Sequence, residues 1–264
     1  MPRPLIIPAS LLVLTLLGAG CWPKTKTNTN STNGAIRPSN VNDATNTGQP
    51  PLTFTFSDPK KSAHYESNTP AHGAILPAPP VNVVINFNFD LSTKSSIAIN
   101  KDGQEYGTGE TTVDGNKLTL RHGFNGDAPD GLYTVTYNAC WPDGSCHDGS
   151  FQFAIDRSSA ASAVDLTNQG EITIRLKDLA FSPRLIRIWR GTTVTWVNDD
   201  SVDHYINTDS HPAHTYFLEQ NSSALKNGQS FSQTFSRAGV YPYHCSAHAG
   251  FMTGTIIVEP SVVE

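Results

Sequence analysis

The chain contains short stretches in which apolar and polar residues alternate, and glycine, proline, asparagine or aspartate bounds most of them. Alternation with a period of two is typical of a strand that buries one face, and turn residues at both ends limit its length. No long helical pattern and no internal repeat is apparent, so the sequence predicts an all-β protein. We predict strands over residues 81–89, 96–100, 117–120, 131–137, 149–155, 171–176, 193–197, 230–235 and 254–258.

These strands fall into two groups that differ in composition from the segments around them. Residues 22–51 are rich in Thr, Asn and Ser, and such a segment buries too little apolar surface to offset its ordering entropy, so we predict a disordered tether. Small residues over 158–169 predict a linker. Short strands with regular turns are typical of β-sandwiches. We therefore predict two sandwich domains in tandem, over 52–157 and 170–264, with a short helical turn in the long loop at 208–228.

The N-terminus has the pattern of an export signal over residues 1–21. A basic Arg3 precedes an apolar run, and small residues follow it as a cleavage site. Cys21 comes directly after these small residues, which resembles a bacterial lipoprotein signal, although Gly18 stands where such signals usually have leucine. We predict an exported protein, in the periplasm or at the cell surface, that is anchored to the membrane by a lipid on Cys21. Plain secretion is the alternative.

Charge and cysteine usage narrow the functional classes. Charged residues make up 16% of the chain, the net charge is −5 and no basic stripe is apparent, so a nucleic-acid partner is not expected. Cys140 and Cys146 flank a turn between two predicted strands, and in an exported protein they predict a disulfide. A thiol metal site with His147 is the alternative. If they pair and Cys21 is lipidated, only Cys245 keeps a free sulfur.

The segment after Tyr243 combines three kinds of metal ligand. Cys245 precedes His248 by three positions, and Met252, the one methionine besides the initiator, follows within the same short segment. His204, which follows the end of a predicted strand, is the best candidate for a second imidazole. Two histidines, a cysteine and a weak axial methionine form a type 1 copper site, so we predict one copper ion per chain. Tyr243 and Phe251 are candidates for the apolar shell around the cysteine sulfur. The alternative to a copper site is that Cys245 is a buried free thiol and Met252 is a core residue.

Three motifs of the second domain are shared with a known family. Phe-Ser-Pro at 181–183, Gly-Thr-Thr-Val-Thr-Trp-Val-Asn at 191–198 and Gly-x-Tyr-x-Tyr-His-Cys at 239–245 resemble the plastocyanin/azurin family of blue copper proteins. The resemblance implies a Greek-key sandwich with the metal at one end and His248 as the exposed ligand and electron exit. It also implies single-electron transfer with a redox partner such as a cytochrome or a membrane electron-transfer complex. Copper storage, delivery or resistance without electron transfer is the alternative.

The first domain has a weaker resemblance of its own. Residues 63–71 and 143–153 resemble the CopC-type copper-resistance domain, an immunoglobulin-type sandwich that binds Cu(II) with an N-terminal His and an Asp-x-His pair. Asp143 aligns with that Asp, but Ser145 stands where the His is expected. A domain that has kept the fold and lost the metal is the alternative. The candidate second metal set is His64, Asp143 and His147.

Three further histidines lie near the predicted copper ligands in the sequence. His211 and His214 are candidates for a second metal, but no third ligand is apparent, and a polar loop is the alternative. His244 precedes Cys245, and in multicopper oxidases and copper nitrite reductases a histidine at this position leads to a catalytic copper. Here Ser246 stands where the oxidases have a second histidine, and no other catalytic set is apparent. The sequence therefore predicts a protein that is not an enzyme.

Overall fold

The computed structural model describes residues 52–260, so the predicted signal, the tether and Cys21 lie outside the described residues. Within this range the chain forms mainly strands, with three short 3-10 turns at Arg157–Ser162, Leu218–Gln220 and Ser246–His248. No helix in the described part is long and apolar enough to cross a membrane. The strands are β1 (Tyr65–Thr69), β2 (Ile75–Leu76), β3 (Asn82–Phe87), β4 (Ser96–Lys101), β5 (Gln104–Glu105), β6 (Gly107–Val113), β7 (Thr119–Phe124), β8 (Gly131–Cys140), β9 (Cys146–Ile155), β10 (Val164–Asp165), β11 (Glu171–Lys177), β12 (Ala180–Ser182), β13 (Leu185–Trp189), β14 (Thr193–Asn198), β15 (Asn207–Thr208), β16 (Ser230–Thr234), β17 (Gly239–His244) and β18 (Thr253–Glu259).

The first domain is a sandwich of two sheets. One sheet has the strand order β1-β3-β7-β6 and the other has the order β2-β9-β8-β4-β5. Inward side chains from both sheets, among them Ile85, Leu120, Tyr133 and Val135, are fully buried in one core. At the end of the β8–β9 hairpin, Cys140 and Cys146 are paired across the strands and joined by a disulfide.

The second domain is also a sandwich, which confirms the predicted all-β fold with two sandwiches in tandem. Its sheets have the strand orders β12-β11-β14-β16 and β10-β13-β18-β17-β15. The parallel pairs β11–β14 and β13–β18 join strands that are distant in sequence, whereas β17 and β18 pair antiparallel. Large aromatic side chains fill the core, including Trp196, Phe235, Tyr241 and Tyr243. The turn at Leu218–Gln220 lies in the loop where we expected one.

The segment between the domains is regular rather than a free linker. Asp156 caps the 3-10 turn that follows it, because its side chain accepts a hydrogen bond from the backbone N–H of Ser158. Strand β10 then pairs in parallel with β13, with Val164 opposite Ile186. The chain therefore enters the second domain as an edge strand of its sheet.

Strand β3 is buried on both faces, whereas its alternating pattern predicted burial on one. Val83 and Ile85 pack into the core of the first domain, while Val84 packs into the core of the second. The outer face of β3 is covered because the second domain lies against it. Tyr216 joins the two there: its hydroxyl accepts a hydrogen bond from the backbone N–H of Val81 at 2.9 Å and donates one to a backbone carbonyl of β17 at 2.7 Å.

Candidate metal centre

The loop after β17 holds three of the four predicted copper ligands, and its own backbone fixes its path. The N–H of Cys245 donates to the carbonyl of Met252 at 3.0 Å, so the two ends of the loop lie side by side. The N–H of His248 donates to the carbonyl of Cys245 at 2.8 Å, and the N–H of Met252 donates to the carbonyl of His248 at 3.0 Å. This short loop therefore folds back over one end of the sandwich.

His204 reaches the same end from the other side of the core. Its backbone forms a two-way bridge with Leu225, with N···O distances of 3.1 and 2.8 Å. Asn198, the last residue of β14, donates from its side chain to the carbonyls of Val202 and Leu225 at 2.8 and 2.7 Å. Asn198, at the end of β14, therefore holds the loop that carries His204.

The structure brings the predicted sulfur and nitrogen ligands together. The Sγ atom of Cys245 lies 3.5 Å from Nδ1 of His204 and 3.5 Å from Nδ1 of His248. A thiolate and an imidazole on one metal ion, with bonds of about 2.3 and 2.0 Å, lie about 3.5–3.7 Å apart at tetrahedral to trigonal angles. Met252 is 1% exposed and belongs to the same buried cluster as Cys245. The donor set and its spacing therefore fit a type 1 copper ion.

A carboxylate fixes the orientation of the buried histidine. The ring of His204 is fully buried, and its Nε2 lies 2.8 Å from Oδ2 of Asp200. Desolvation alone would raise the pKa of Asp200, but hydrogen bonds from the N–H of Leu179, from His204 and from the N–H of Asp178 outweigh it and keep that pKa below its ordinary value. An ionised Asp200 requires the proton of His204 on Nε2, so Nδ1 presents its lone pair towards the sulfur.

The cysteine sulfur has one backbone donor and an apolar environment. The backbone N–H of Tyr205 donates to Sγ of Cys245 at 3.4 Å. Tyr243, a predicted residue of the apolar shell around the sulfur, is buried in the core cluster to which Cys245 also belongs. Phe251 is not part of that shell, because it is 64% exposed and its ring lies beside that of His248 at a centroid distance of 5.7 Å. Of the two predicted imidazole ligands, His204 is therefore buried and His248 is partly exposed.

Removing the carboxylate that orients His204 should weaken copper binding. We expect Asp200→Ala to lower copper affinity by about 10–100-fold, because ligand orientation then depends on the loop alone. Competition with a chelator of known affinity measures the change. Asp199→Ala is the matched control, since Asp199 makes only a surface ion pair with Arg175 and should leave the affinity unchanged. Equal affinities for the two variants would contradict this role of Asp200.

The structure does not assemble the candidate metal set of the first domain. The rings of His64 and His147 each pack against Trp141, at centroid distances of 5.5 and 5.3 Å. The carboxylate of Asp143 accepts hydrogen bonds from the hydroxyl and the N–H of Ser145, which keep its pKa below the ordinary value. Among residues 52–260, these three do not form a group with ligand atoms within 4.8 Å. Ser145 stands where CopC-type domains have their histidine, and it donates hydrogen bonds to Asp143 instead of binding a metal.

A second group of histidines is assembled in the described part of the chain, and the sequence analysis considered two of its members together and the third, His244, separately. One ligand atom each from His211, His214 and His244 lies within 4.8 Å of the other two. His244 ends β17 directly before Cys245, and successive strand residues point to opposite faces. That alternation was the available signal that His244 faces away from the predicted copper ligands.

Comparison with known proteins agrees with this geometry. Residues 168–259 match the family described as copper binding proteins, plastocyanin/azurin family, and residues 65–156 match the CopC domain. A plastocyanin from Scenedesmus fuscus is 38% identical over 86 residues, which are 31% of this chain and 88% of that protein. Amicyanin-alpha from Methylorubrum extorquens is 29% identical over 102 residues, 39% of this chain and 83% of that protein. Amicyanin from Paracoccus denitrificans is 30% identical over 90 residues, 34% of this chain and 66% of that protein. The chain therefore belongs to the plastocyanin/azurin family of copper-binding proteins, with a CopC domain preceding its cupredoxin domain.

Proposed function

We propose that this protein binds one type 1 copper ion at its cupredoxin end and carries single electrons between redox partners. The proposed ligands are His204, Cys245, His248 and Met252. The observation that supports this most strongly is the position of one buried sulfur at 3.5 Å from two imidazole nitrogens. The family match over 168–259 supports the same conclusion independently of that geometry.

The ligands are held in place by bonds that do not involve a metal. Asp200 orients the ring of His204, the N–H of Tyr205 faces the sulfur, and the backbone bonds of the loop fix His248 relative to Cys245. When bound, copper supplies a one-electron couple between Cu(II) and Cu(I), for which imidazoles suit both states and the sulfur ligands favour Cu(I). A ligand set that is fixed in this way changes little between the two states, so the cost of reorganisation is small.

His248 is the proposed exit for the electron. It is the partly exposed imidazole of the set, and the exposed ring of Phe251 lies beside it. An exposed aromatic ring beside the partly exposed ligand suits brief docking of a redox protein such as a cytochrome or a membrane electron-transfer complex, because it adds no charge pair that must be broken on release.

We also propose that the protein acts outside the cytoplasm, with a lipid on Cys21 as its membrane anchor. The apolar N-terminal run, the small residues and the cysteine after them support this proposal. The disulfide between Cys140 and Cys146 supports an oxidising compartment. Radiolabelled fatty acid should be incorporated into the natural chain during expression in a bacterial host but not into Cys21→Ser, and equal labelling would exclude the anchor.

Stopped-flow mixing of the Cu(I) protein with an oxidised small cytochrome tests the proposed role. We expect the absorption band at about 600 nm that is typical of a type 1 site to appear as the cytochrome is reduced, with one electron per chain. Reverse mixing should bleach the band, since the carrier must exchange electrons in both directions.

The CopC match favours a second candidate function, copper storage or delivery. Slow exchange together with rapid release of copper to a chelator would support that second function and exclude the carrier role.

A further inference from the structure

Three imidazoles converge on one point outside the predicted type 1 site. Nε2 of His214 lies 3.2 Å from Nδ1 of His211 and 3.2 Å from Nε2 of His244. Two imidazole nitrogens bound to one metal ion with bonds of about 2.0–2.1 Å lie about 3.3 Å apart at a tetrahedral angle. The spacing of these nitrogens is therefore that of ligands around a shared ion.

Hydrogen bonding alone does not account for this convergence. Nε2 of His214 has three polar neighbours, because the hydroxyl of Ser246 lies 3.1 Å away in addition to the two ring nitrogens. A ring nitrogen carries either one hydrogen or one lone pair, so it satisfies only one such neighbour well. A cation between the rings would satisfy all three nitrogens at once.

The rings are also oriented as metal ligands are. Nδ1 of His244 lies 3.2 Å from Oδ1 of Asp209, so the carboxylate accepts a hydrogen bond from Nδ1–H and the lone pair of Nε2 faces the other rings. Asn221 donates to the backbone carbonyl of His214 at 2.9 Å and holds that part of the loop. His211 is exposed and His244 is buried, so the site is open on one side.

The first domain holds the loop that carries two of these histidines. The side chain of Asn86 on β3 donates to the hydroxyl of Ser210 at 3.1 Å and accepts from the hydroxyl of Thr215 at 2.9 Å. Arg121 on β7 donates to the carbonyls of Thr215 and Tyr216, and Asp114 pairs with it. These contacts fasten both ends of the segment that contains His211 and His214.

We propose that His211, His214 and His244 form a second metal centre, which binds one copper(II) ion and leaves a coordination position open. Imidazoles suit copper and zinc, and among divalent ions the affinity of such sites is highest for copper. His244 and Cys245 are adjacent in the chain, so a single peptide link joins this centre to the proposed type 1 ligand. In the part of the inference that rests on the proposed function, Cys245 and His244 would hold the two copper ions on adjacent residues, and each ion would supply a Cu(II)/Cu(I) couple for the exchange of one electron.

Copper counting with electron paramagnetic resonance tests the second centre. After loading with Cu(II) and dialysis, we expect two copper ions per chain, with a type 2 signal in addition to the type 1 signal. The His211→Ala/His214→Ala variant should keep one copper and the blue band and lose the type 2 signal. His72→Ala is the control, because His72 belongs to neither histidine group and should keep both ions. One copper per chain without a type 2 signal in the natural protein, or a second copper that survives the double substitution, would overturn the proposal.

Two further variants separate this proposal from the proposed function and test the role of the first domain. Cys245→Ser should lose the blue band but keep the type 2 signal, so either site can fail without the other. Asn86→Ala should weaken binding of the second copper by about tenfold, because the loop loses bonds at both ends, and should leave the blue band unchanged. Unchanged binding of the second copper would show that Asn86 does not position this site.

Discussion

Cys245→Ser is expected to abolish the intense absorption at about 600 nm in the copper-loaded protein. That band arises from charge transfer between a thiolate and Cu(II), and a serine hydroxyl remains protonated and binds copper weakly. The sulfur is fully buried, with the two imidazoles and the N–H of Tyr205 around it, so no water-exposed group can replace it at the same point. The visible spectrum at saturating copper measures the loss, and titration with copper should show that affinity at this site falls as well.

The matched control for this substitution is the double variant Cys140→Ser/Cys146→Ser. It removes two other sulfurs from the chain, and it opens a disulfide that closes a short loop, far from the copper ligands in sequence. We expect the blue band to keep its position and intensity in this variant. A band that persists in Cys245→Ser, or one that disappears in the control, would show that the metal is held elsewhere.

The proposed copper ligands were accessible to prediction from the sequence because three of them are local. Cys245, His248 and Met252 lie in one loop, so their spacing alone limits how far apart they can be. His204 was predicted from its place just beyond a strand end, and in the structure the side chain of Asn198 fixes the loop on which His204 lies. The spacing of residues within one loop and the predicted ends of strands can both be read from the sequence without knowledge of long-range contacts.

The second histidine group could not be predicted in the same way. His244 comes from a strand end, while His211 and His214 come from a loop whose path depends on the first domain. Nothing in the sequence states that residues so far apart as Asn86 and Ser210 bond to each other. A long-range contact of this kind becomes apparent only when both domains are in place.

The two-sided burial of β3 was missed for a related reason. Asn82 and Asn86 alternate with apolar residues, and polar positions in an alternating strand predict a face in water. In the structure both asparagines are buried and bond to the second domain, Asn82 by donating to the carbonyl of Tyr216 at 3.2 Å. The apolar run that includes Val84 was the sequence feature that indicated burial on both faces, because a strand with one solvent-exposed face would have a polar residue at that position.

Tyr216→Ala is expected to lower the free energy of unfolding by about 3–5 kcal/mol, the range for removing a large aromatic side chain from a core. Tyr216 is 1% exposed and packs in the cluster that includes Val81 and Val84 of the first domain. Its hydroxyl bonds to the backbone of both domains, so the substitution also leaves the N–H of Val81 and the carbonyl of Val240 without this partner. Urea unfolding, followed by tryptophan fluorescence, measures the change.

Tyr216→Phe separates the two contributions. It keeps the ring and removes the hydroxyl, so it should lower the free energy of unfolding by about 1–3 kcal/mol, the range for leaving buried polar groups unsatisfied.

Because Trp141 lies in the first domain and Trp196 in the second, variants that keep only one of these tryptophans report the unfolding of each domain separately. In the natural protein a shared core should make the two transitions coincide, and in Tyr216→Ala they should separate. Coincident transitions and a loss below about 1 kcal/mol in Tyr216→Ala would contradict the argument that this side chain joins the two domains.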